Sequence, residues 1–167
     1  MIKPLFQRIV VAINGSEQSI HAAMYGIIMA KMYNCQMKAV YVVDTSALRQ
    51  LTLSKFFVAE ESNFFYENLH SDGKKYLDYV TDLALSKNVK IQTELREGAI
   101  WSEIIKAADE FKANLILLGG RENGSVSLRT VVKHDAASAT NIDIVASANC
   151  NVLIVREAGI EKLFRIA

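Results

Sequence analysis

The chain has little proline and no excess of charge of one sign, and each shortage excludes a class of protein. Its 167 residues include one proline, Pro4, so a proline-rich linker is excluded. The 19 Lys and Arg side chains nearly balance the 18 Asp and Glu side chains, and the net charge is +1. Nucleic-acid binders depend on a basic excess to neutralise phosphates, so this balance argues against nucleic acid as a partner.

Cysteine and long apolar runs are also scarce. Cys35 and Cys150 each precede a strand-like run, which favours two reduced, buried small hydrophobes over a disulfide that would need an oxidising compartment. The run Ile9 to Ile13 is too short for the apolar core of a signal peptide. No stretch approaches the roughly 20 apolar residues of a membrane span. We therefore expect a cytoplasmic protein without membrane insertion.

What the chain does contain is typical of a globular domain. Apolar residues make up 51% and charged residues 22%. The length fits one domain, which we place at residues 1–157, followed by a C-terminal tail at 158–167. A chain of this length buries about two-thirds of its unfolded surface, so it needs no disulfide or metal for stability.

Strand and helix patterns alternate along the chain. Continuous apolar runs predict buried strands at 9–13, 37–43, 114–118 and 151–155, and the alternating run 89–95 predicts a half-exposed edge strand. Helical spacing predicts helices over 17–33, 62–86, 100–111 and 139–147. Residues 47–61 lack a clean period and are interpreted as a mobile connector, with or without a short helix. The prediction is an α/β fold with one five-stranded parallel sheet and helices on both faces.

A strand order of 3-2-1-4-5 puts the half-exposed third strand at an edge. Ligands of open α/β sheets bind where the winding reverses, here between the first and fourth strands. Asn14-Gly15-Ser16 follows the first strand, and Leu118-Gly119-Gly120 ends the fourth. The helix that begins near Ala139 also turns its N-terminus toward this crevice, and helix N-termini favour phosphates. These small-residue turns predict a nucleotide-sized site, although glycines after strands also simply form turns.

Residues suited to catalysis are few. His21 and His70 fall in predicted helices without a ligand-spaced partner, so we expect no metal site. His134-Asp135 forms an acid–base pair only if two adjacent side chains face each other. Ser16 follows a strand and a glycine, as a nucleophile does in some hydrolases, but helix capping explains it fully. We predict no catalytic residue.

Three segments of the chain together resemble the universal stress protein family. They are 8–19 (RIVVAINGSEQS), 113–119 (ANLILLG) and 148–155 (ANCNVLIV), and with the element order the resemblance covers residues 6–156. It implies the adenine nucleotide alpha hydrolase-like, Rossmann-like fold predicted above. It also implies a homodimer formed through the last strand, by Val152, Leu153, Ile154 and Val155. Such pairing would cover an apolar strand edge.

Some members of this family bind ATP through a loop of the form Gly-x2-Gly-x9-Gly-Ser, and others lack the loop. Gly119 matches its first glycine, but Glu122 stands at the second, and Ser138 with Ala139 at the last pair after a longer segment. The family's usual aspartate after the first strand is Asn14. The loop is therefore degenerate, unless a rearranged cradle forms from Gly124, Ser125, Ser127, Ser138 and Thr140, with charge from Arg121, Arg129 and Lys133.

If a nucleotide binds, the resemblance implies a defined set of contacts. They are Ala12, Ile13, Asn14, Val42, Leu118, Gly119, Gly120, Ser138, Ala139 and Thr140. Val42 would flank the adenine, but it reads equally well as a core valine.

Three functions are compatible with these sequence features. The first is a non-enzymatic stress-response or regulatory protein that acts as a dimeric binding module on an unknown partner. The second is an ATP- or ADP-binding switch with at most slow hydrolysis, with ATP as the cofactor. The third, an enzyme of the wider hydrolase group, would need a loop after the first strand that Asn14-Gly15-Ser16-Glu17 does not match. We expect the first.

Overall fold

The strands form one parallel sheet in the predicted order. A computed structural model of the chain describes residues 2–53, 59–120, 136–157 and 159–167. Its strands are β1 (Arg8–Ile13), β2 (Gln36–Asp44), β3 (Gln92–Gly98), β4 (Leu115–Gly119) and β5 (Asn151–Val155). They lie in the order β3-β2-β1-β4-β5, and every neighbouring pair is parallel. The predicted fold class and order are confirmed.

Helices cover both faces of this sheet. They are α1 (Glu17–Tyr33), α2 (Thr45–Leu53), α3 (Ala59–Ser86), α4 (Ile100–Phe111), α5 (Ala136–Ser147) and α6 (Ile160–Ile166). Alternate residues of β1 separate two cores. Ile9 and Val11 pack with α1 and α3, whereas Val10 packs with α4 and with Ile144 of α5. No helix in the described ranges is both long enough and apolar enough to cross a membrane.

The structure corrects the predicted start of the third strand. Val89 was expected to begin it, but β3 starts at Gln92. Asn88 adopts a left-handed conformation with φ 59°, and the Val89 N–H bonds to the Ala84 carbonyl at 2.9 Å. Residues 87–89 therefore terminate α3, and the buried Val89 side chain packs against the core around that helix.

The connector between the second strand and the long helix holds α2. The Asp44 carboxylate accepts a hydrogen bond from the Ala47 N–H at 3.0 Å and one from the Ser46 hydroxyl at 2.7 Å. This cap at the end of β2 fixes the start of α2. The long helix begins at Ala59 rather than Ser62, and α5 begins at Ala136 rather than Ala139.

The segment assigned to the C-terminal tail carries α6, which packs along α1. Ile160 and Phe164 are 1% and 6% exposed. The Lys31 ammonium donates to the Ala167 carbonyl at 2.6 Å, and the Lys87 ammonium lies 4.9 Å from the centre of the Phe164 ring. These contacts place α6 on the α1 side of the sheet, and the helix adds Phe164 to the core there.

Candidate functional site

The turn after β1 is held by a closed set of hydrogen bonds. The Asn14 side-chain oxygen accepts from the Ser16 N–H at 3.0 Å and from the Ser16 hydroxyl at 2.6 Å. The Ser16 hydroxyl in turn accepts from the Ser19 N–H at 3.1 Å and caps α1. The Ser19 hydroxyl donates to the Ser16 carbonyl at 2.8 Å. Ser16 is therefore a helix cap, as predicted, and its hydroxyl both donates one hydrogen bond and accepts another.

An aromatic side chain from α3 closes one side of the same turn. Gly15 has φ 83°, and a Cβ atom added there would lie 2.6 Å from Cε2 of Tyr76. The Tyr76 ring stacks on that of Tyr41, with centroids 6.2 Å apart and an angle of 12° between the planes. The sequence patterns did not predict Tyr76 at this site, because no local signal connects a helical tyrosine to a glycine that lies far before it.

The end of β4 is packed against α1 and held by α5. A Cβ atom on Gly119 would lie 2.6 Å from the Gln18 backbone, so the first turn of α1 requires a glycine here. Asn141 of α5 donates from its amide to the Gly119 carbonyl at 3.0 Å. The Gly120 N–H bonds to the Val155 carbonyl at 2.9 Å. Asn141 is a polar residue of this site that the sequence analysis did not single out.

Several of the residues assigned to a nucleotide site are core residues. Ile13, Val42 and Leu118 are 3%, 7% and 1% exposed. Val42 and Leu118 belong to the core under α4 and α5, and Ala12 packs against it. Asn14 and Ala139 are exposed, and Thr140 is half-buried. The carboxyl ends of β1, β2 and β4 thus carry buried core side chains, and Asn14, directly after β1, is an exposed polar residue.

The remaining candidates lie outside the described residues. They are Arg121, Glu122, Gly124, Ser125, Ser127, Arg129, Lys133, His134 and Asp135. The side chain of Ser138 is outside them as well. The degenerate phosphate loop therefore stays a prediction.

The structure gives His21 carboxylate partners, contrary to the prediction that it has none at ligand spacing. Its Nε2 atom lies 3.7 Å from Oε1 of Glu17, one helical turn earlier, and 3.3 Å from Oε1 of Glu161 in α6. Chain spacing predicts the first contact, since residues i and i+4 share a helix face. The second depends on the docking of α6.

His70 also has an acidic neighbour. Its Nε2 atom lies 3.6 Å from Oε1 of Glu97, which also accepts a hydrogen bond from the Tyr66 hydroxyl. This hydrogen bond to Glu97 is the largest factor that raises the pKa of Tyr66, since loss of the phenol proton would break it. The Tyr66 phenol therefore stays protonated near neutral pH.

Both thiols are free and partly buried. Burial raises the pKa of Cys35 and of Cys150, and the nearby Asp109 carboxylate raises that of Cys150 further. The Cys35 thiol donates to the Phe6 carbonyl at 3.1 Å. These are the properties of packing residues rather than of nucleophiles.

Comparison with known sequences identifies relatives along nearly the whole chain. The model of the universal stress protein family matches residues 5–156. The universal stress protein MJ0531 of Methanocaldococcus jannaschii is 32% identical over 154 residues, which cover 92% of this chain and 84% of that protein.

Solved structures with the same fold include a universal stress protein family member from Burkholderia pseudomallei. It is 20% identical, with a TM-score of 0.69, over 93% of this chain and 100% of that chain. A universal stress protein from Archaeoglobus fulgidus in complex with dAMP is 14% identical, with a TM-score of 0.60, over 92% of this chain and 100% of that chain. A universal stress protein in complex with cAMP is 20% identical, with a TM-score of 0.59, over 90% of this chain and 96% of that chain. With a family match over residues 5–156 and the expected sheet order, this chain belongs to the universal stress protein family.

Proposed function

We propose that this protein is a non-enzymatic regulatory protein that acts as a homodimeric binding module for a protein partner. The observation that carries the proposal is the open edge of β5. This strand pairs with β4 through Asn151 to Val155, and no other strand among the described residues pairs with its second edge.

The composition of that edge favours its coverage by a second copy of the chain. β5 is apolar at four of its five positions, and Leu153 is 36% exposed. Open apolar strand edges promote aggregation, and native proteins cover, shorten or charge them. Pairing of two copies of β5 across a two-fold axis would satisfy the backbone groups of both edges at once.

The polar groups at the crevice support a binding role rather than catalysis. The Ser16 hydroxyl donates to Asn14 and accepts from Ser19, so it has no base that would activate it. The two thiols have raised pKa values because they are buried. Two free cysteines also suit a reducing compartment, and the proposal places the protein in the cytoplasm.

The dimer is tested by sedimentation equilibrium on the full chain and on Leu153→Lys. A lysine on β5 would place a charge at the proposed interface, so we expect dimers for the wild type and monomers for L153K. The matched control is Leu163→Lys, which charges a similarly exposed leucine (45%) on α6 and should remain dimeric. A wild-type monomer at about 100 µM would overturn the dimer, since stable interfaces associate well below that concentration. So would equal dissociation of L153K and L163K.

A second function, an adenine-nucleotide switch, is favoured by the ligands of two structural neighbours. Their names give dAMP and cAMP as the bound molecules. Ligands of open α/β sheets bind outside the carboxyl ends of the strands, where the Asn14 side chain is exposed. Under this function the resemblance predicts contacts from Gly119, Gly120 and Thr140, among others.

Calorimetric titration distinguishes the two functions. AMP, cAMP and ATP, each with and without Mg²⁺, are titrated into full-length protein that has been freed of carried-over nucleotide. The first function predicts no saturable binding up to about 1 mM, a weak limit near −4 kcal/mol. Micromolar binding would instead establish the second.

The Asn14→Asp variant refines that result. Asp keeps the oxygen that accepts from the Ser16 N–H and hydroxyl, so the cap should survive. It also adds a negative charge, because the family usually has an aspartate at this position. If ATP binds, N14D should increase the Mg²⁺ dependence of its affinity. If ATP binds and its affinity depends on Mg²⁺ equally in N14D and in the wild type, the nucleotide lies away from β1.

A further inference from the structure

Three potential metal ligands converge where α6 meets the first turns of α1. They are the Nε2 atom of His21 and one carboxylate oxygen each of Glu17 and Glu161, all within 4.8 Å of one another. Two come from one face of α1, and the third comes from a helix that lies 140 residues further along the chain. The group is separate from the crevice between β1 and β4 described above.

The distances suit a tetrahedral ion. Zn²⁺ binds histidine nitrogen and carboxylate oxygen at about 2.0–2.2 Å, which places neighbouring ligand atoms about 3.3–3.6 Å apart. The Nε2 atom of His21 lies 3.3 Å from Glu161 and 3.7 Å from Glu17. All three ligand atoms lie within 4.8 Å of one another, and the two carboxylates are more than half exposed, so rotation of their side chains can adjust the distances.

The charges also favour a cation. Glu17 and Glu161 bring two negative charges to one side of the imidazole. The imidazole is 26% exposed, so it is held between the two helices rather than free in solvent. A divalent ion would neutralise both carboxylates and use the nitrogen that already faces them.

We propose that Glu17, His21 and Glu161 form a Zn²⁺ site that fastens α6 to α1. The family match ends at residue 156, so Glu161 of α6 lies beyond the matched residues, whereas Glu17 and His21 lie within them. Three protein ligands leave a fourth position for water or an external ligand, as in zinc sites that are not closed. The site lies next to the Ser16 cap, and the neighbouring Gln18 backbone contacts Gly119. Metal binding therefore stabilises the docking of α6 and the first turn of α1 together.

The test is titration of ZnCl₂ into the untagged full chain, followed by calorimetry, for the wild type, Glu161→Gln and His21→Asn. We expect one Zn²⁺ per chain in the wild type. Loss of a direct ligand should weaken binding about 100-fold or more, because even the loss of a residue that supports a ligand costs about 10–100-fold. His70→Asn is the matched control, because among the described residues His70 forms an ion pair with Glu97 alone, and this variant should bind Zn²⁺ as the wild type does.

A second readout follows the docking itself. Zn²⁺ should raise the melting temperature of the wild type and of H70N and leave that of E161Q unchanged, because a ligand that binds the folded state stabilises it. Should H21N fail to fold, Glu17→Gln replaces it, since that side chain is 63% exposed. No saturable binding at about 100 µM Zn²⁺ would overturn the site. Equal affinity in the wild type, E161Q and E17Q would overturn it as well.

Discussion

Tyr76 lies against Gly15 so closely that the turn after β1 and the middle of α3 are a single packed unit. A Cβ atom on Gly15 would lie 2.6 Å from Cε2 and 2.8 Å from Cζ of the tyrosine ring. Gly15 also has φ 83°, a conformation that other residues adopt at a cost. Glycine is needed here for two independent reasons, and substitutions can separate them.

The Gly15→Ala variant should be less stable than Gly159→Ala, and the difference measures the contact with Tyr76. Gly159 has nearly the same φ, 82°, but nothing lies within 4 Å of an added Cβ atom. Each substitution costs about 1–2 kcal/mol for the left-handed backbone. In G15A the ring must also move, which should add about 1–3 kcal/mol. Urea unfolding at pH 7 measures both variants.

The double variant Gly15→Ala with Tyr76→Ala completes this comparison. Without the ring, the alanine at position 15 should cost no more than the one at position 159. An unchanged cost of the Gly15 substitution in the Tyr76→Ala background would mean that the ring does not limit the turn.

The Gly119→Ala variant should be strongly destabilised, whereas Gly26→Ala should be nearly neutral. A Cβ atom on Gly119 meets the backbone of Gln18 and Ser19 at 2.6 and 2.8 Å, and a helix backbone cannot shift cheaply. On Gly26 the nearest atoms are the ends of two side chains, Cδ1 of Leu117 at 2.9 Å and Sδ of Met37 at 3.2 Å, and side-chain ends shift more cheaply than a helix backbone. We expect a loss of about 3 kcal/mol for G119A. We expect less than about 1 kcal/mol for G26A, because alanine favours the helix.

Thermal and urea unfolding of these two variants test the packing of α1 on β4. Equal stability of G119A and G26A would contradict that packing. A stable G119A would also imply that the first turn of α1 stands further from β4 than the described contacts require.

The Glu103 carboxylate should make part of the stability depend on pH at the acid side. Hydrogen bonds from Lys106 at 2.7 Å and from Arg96 at 2.9 Å lower the pKa of Glu103. Because the folded pKa lies below the unfolded value, the stabilisation is present above the unfolded pKa and is lost as pH falls through the folded pKa. The Glu103→Gln variant should therefore be less stable at neutral pH and lose less stability below about pH 4.3.

Urea unfolding between about pH 7 and pH 3 measures this change for the wild type and E103Q. Glu67→Gln, an exposed substitution on α3, is the control and should follow the wild-type curve. Curves of E103Q and wild type that stay parallel over the whole range would show that the Glu103 ion pairs contribute nothing to folding.

The two cysteines should react slowly with a disulfide reagent in the native protein. Burial raises the pKa of both thiols, and the thiolate is the reactive form. The release of thionitrobenzoate at pH 7 should be much slower than in urea-unfolded protein, and Cys35→Ser and Cys150→Ser assign the two rates. If the thiols react as fast in the native protein as in the unfolded protein, burial does not protect either cysteine.

Patterns local to one segment predicted most of the fold. The predicted bounds of α1, α4 and β5 are those of the structure, because apolar spacing and terminators such as Asn34 act within a few residues. The apolar runs and the edge-type alternation of the third strand left few sheet orders, and the predicted order that satisfied them is the one in the structure.

Contacts between distant segments were not predictable in this way. The alternation that begins at Val89 resembles a strand, yet its first residues bond back to α3. Tyr76 reaches Gly15 and Glu161 reaches His21 only after helices have docked, and no spacing in the chain signals either pair. Both the turn after β1 and the proposed Zn²⁺ site thus depend on contacts between distant residues, which patterns within one segment do not predict.

The central position of β1 has a consequence for how the chain emerges during synthesis. One edge of β1 pairs with β2 soon afterwards, but its other edge pairs with β4 through Leu115 to Leu117. The Arg8 N–H bonds to the Asn114 side chain, 106 residues later. A nascent chain therefore leaves the ribosome with a bare, β-branched strand edge, and it carries that edge until most of its length has been translated. Unpaired strand edges promote aggregation, so slower elongation would lengthen the time during which this edge can pair with another chain.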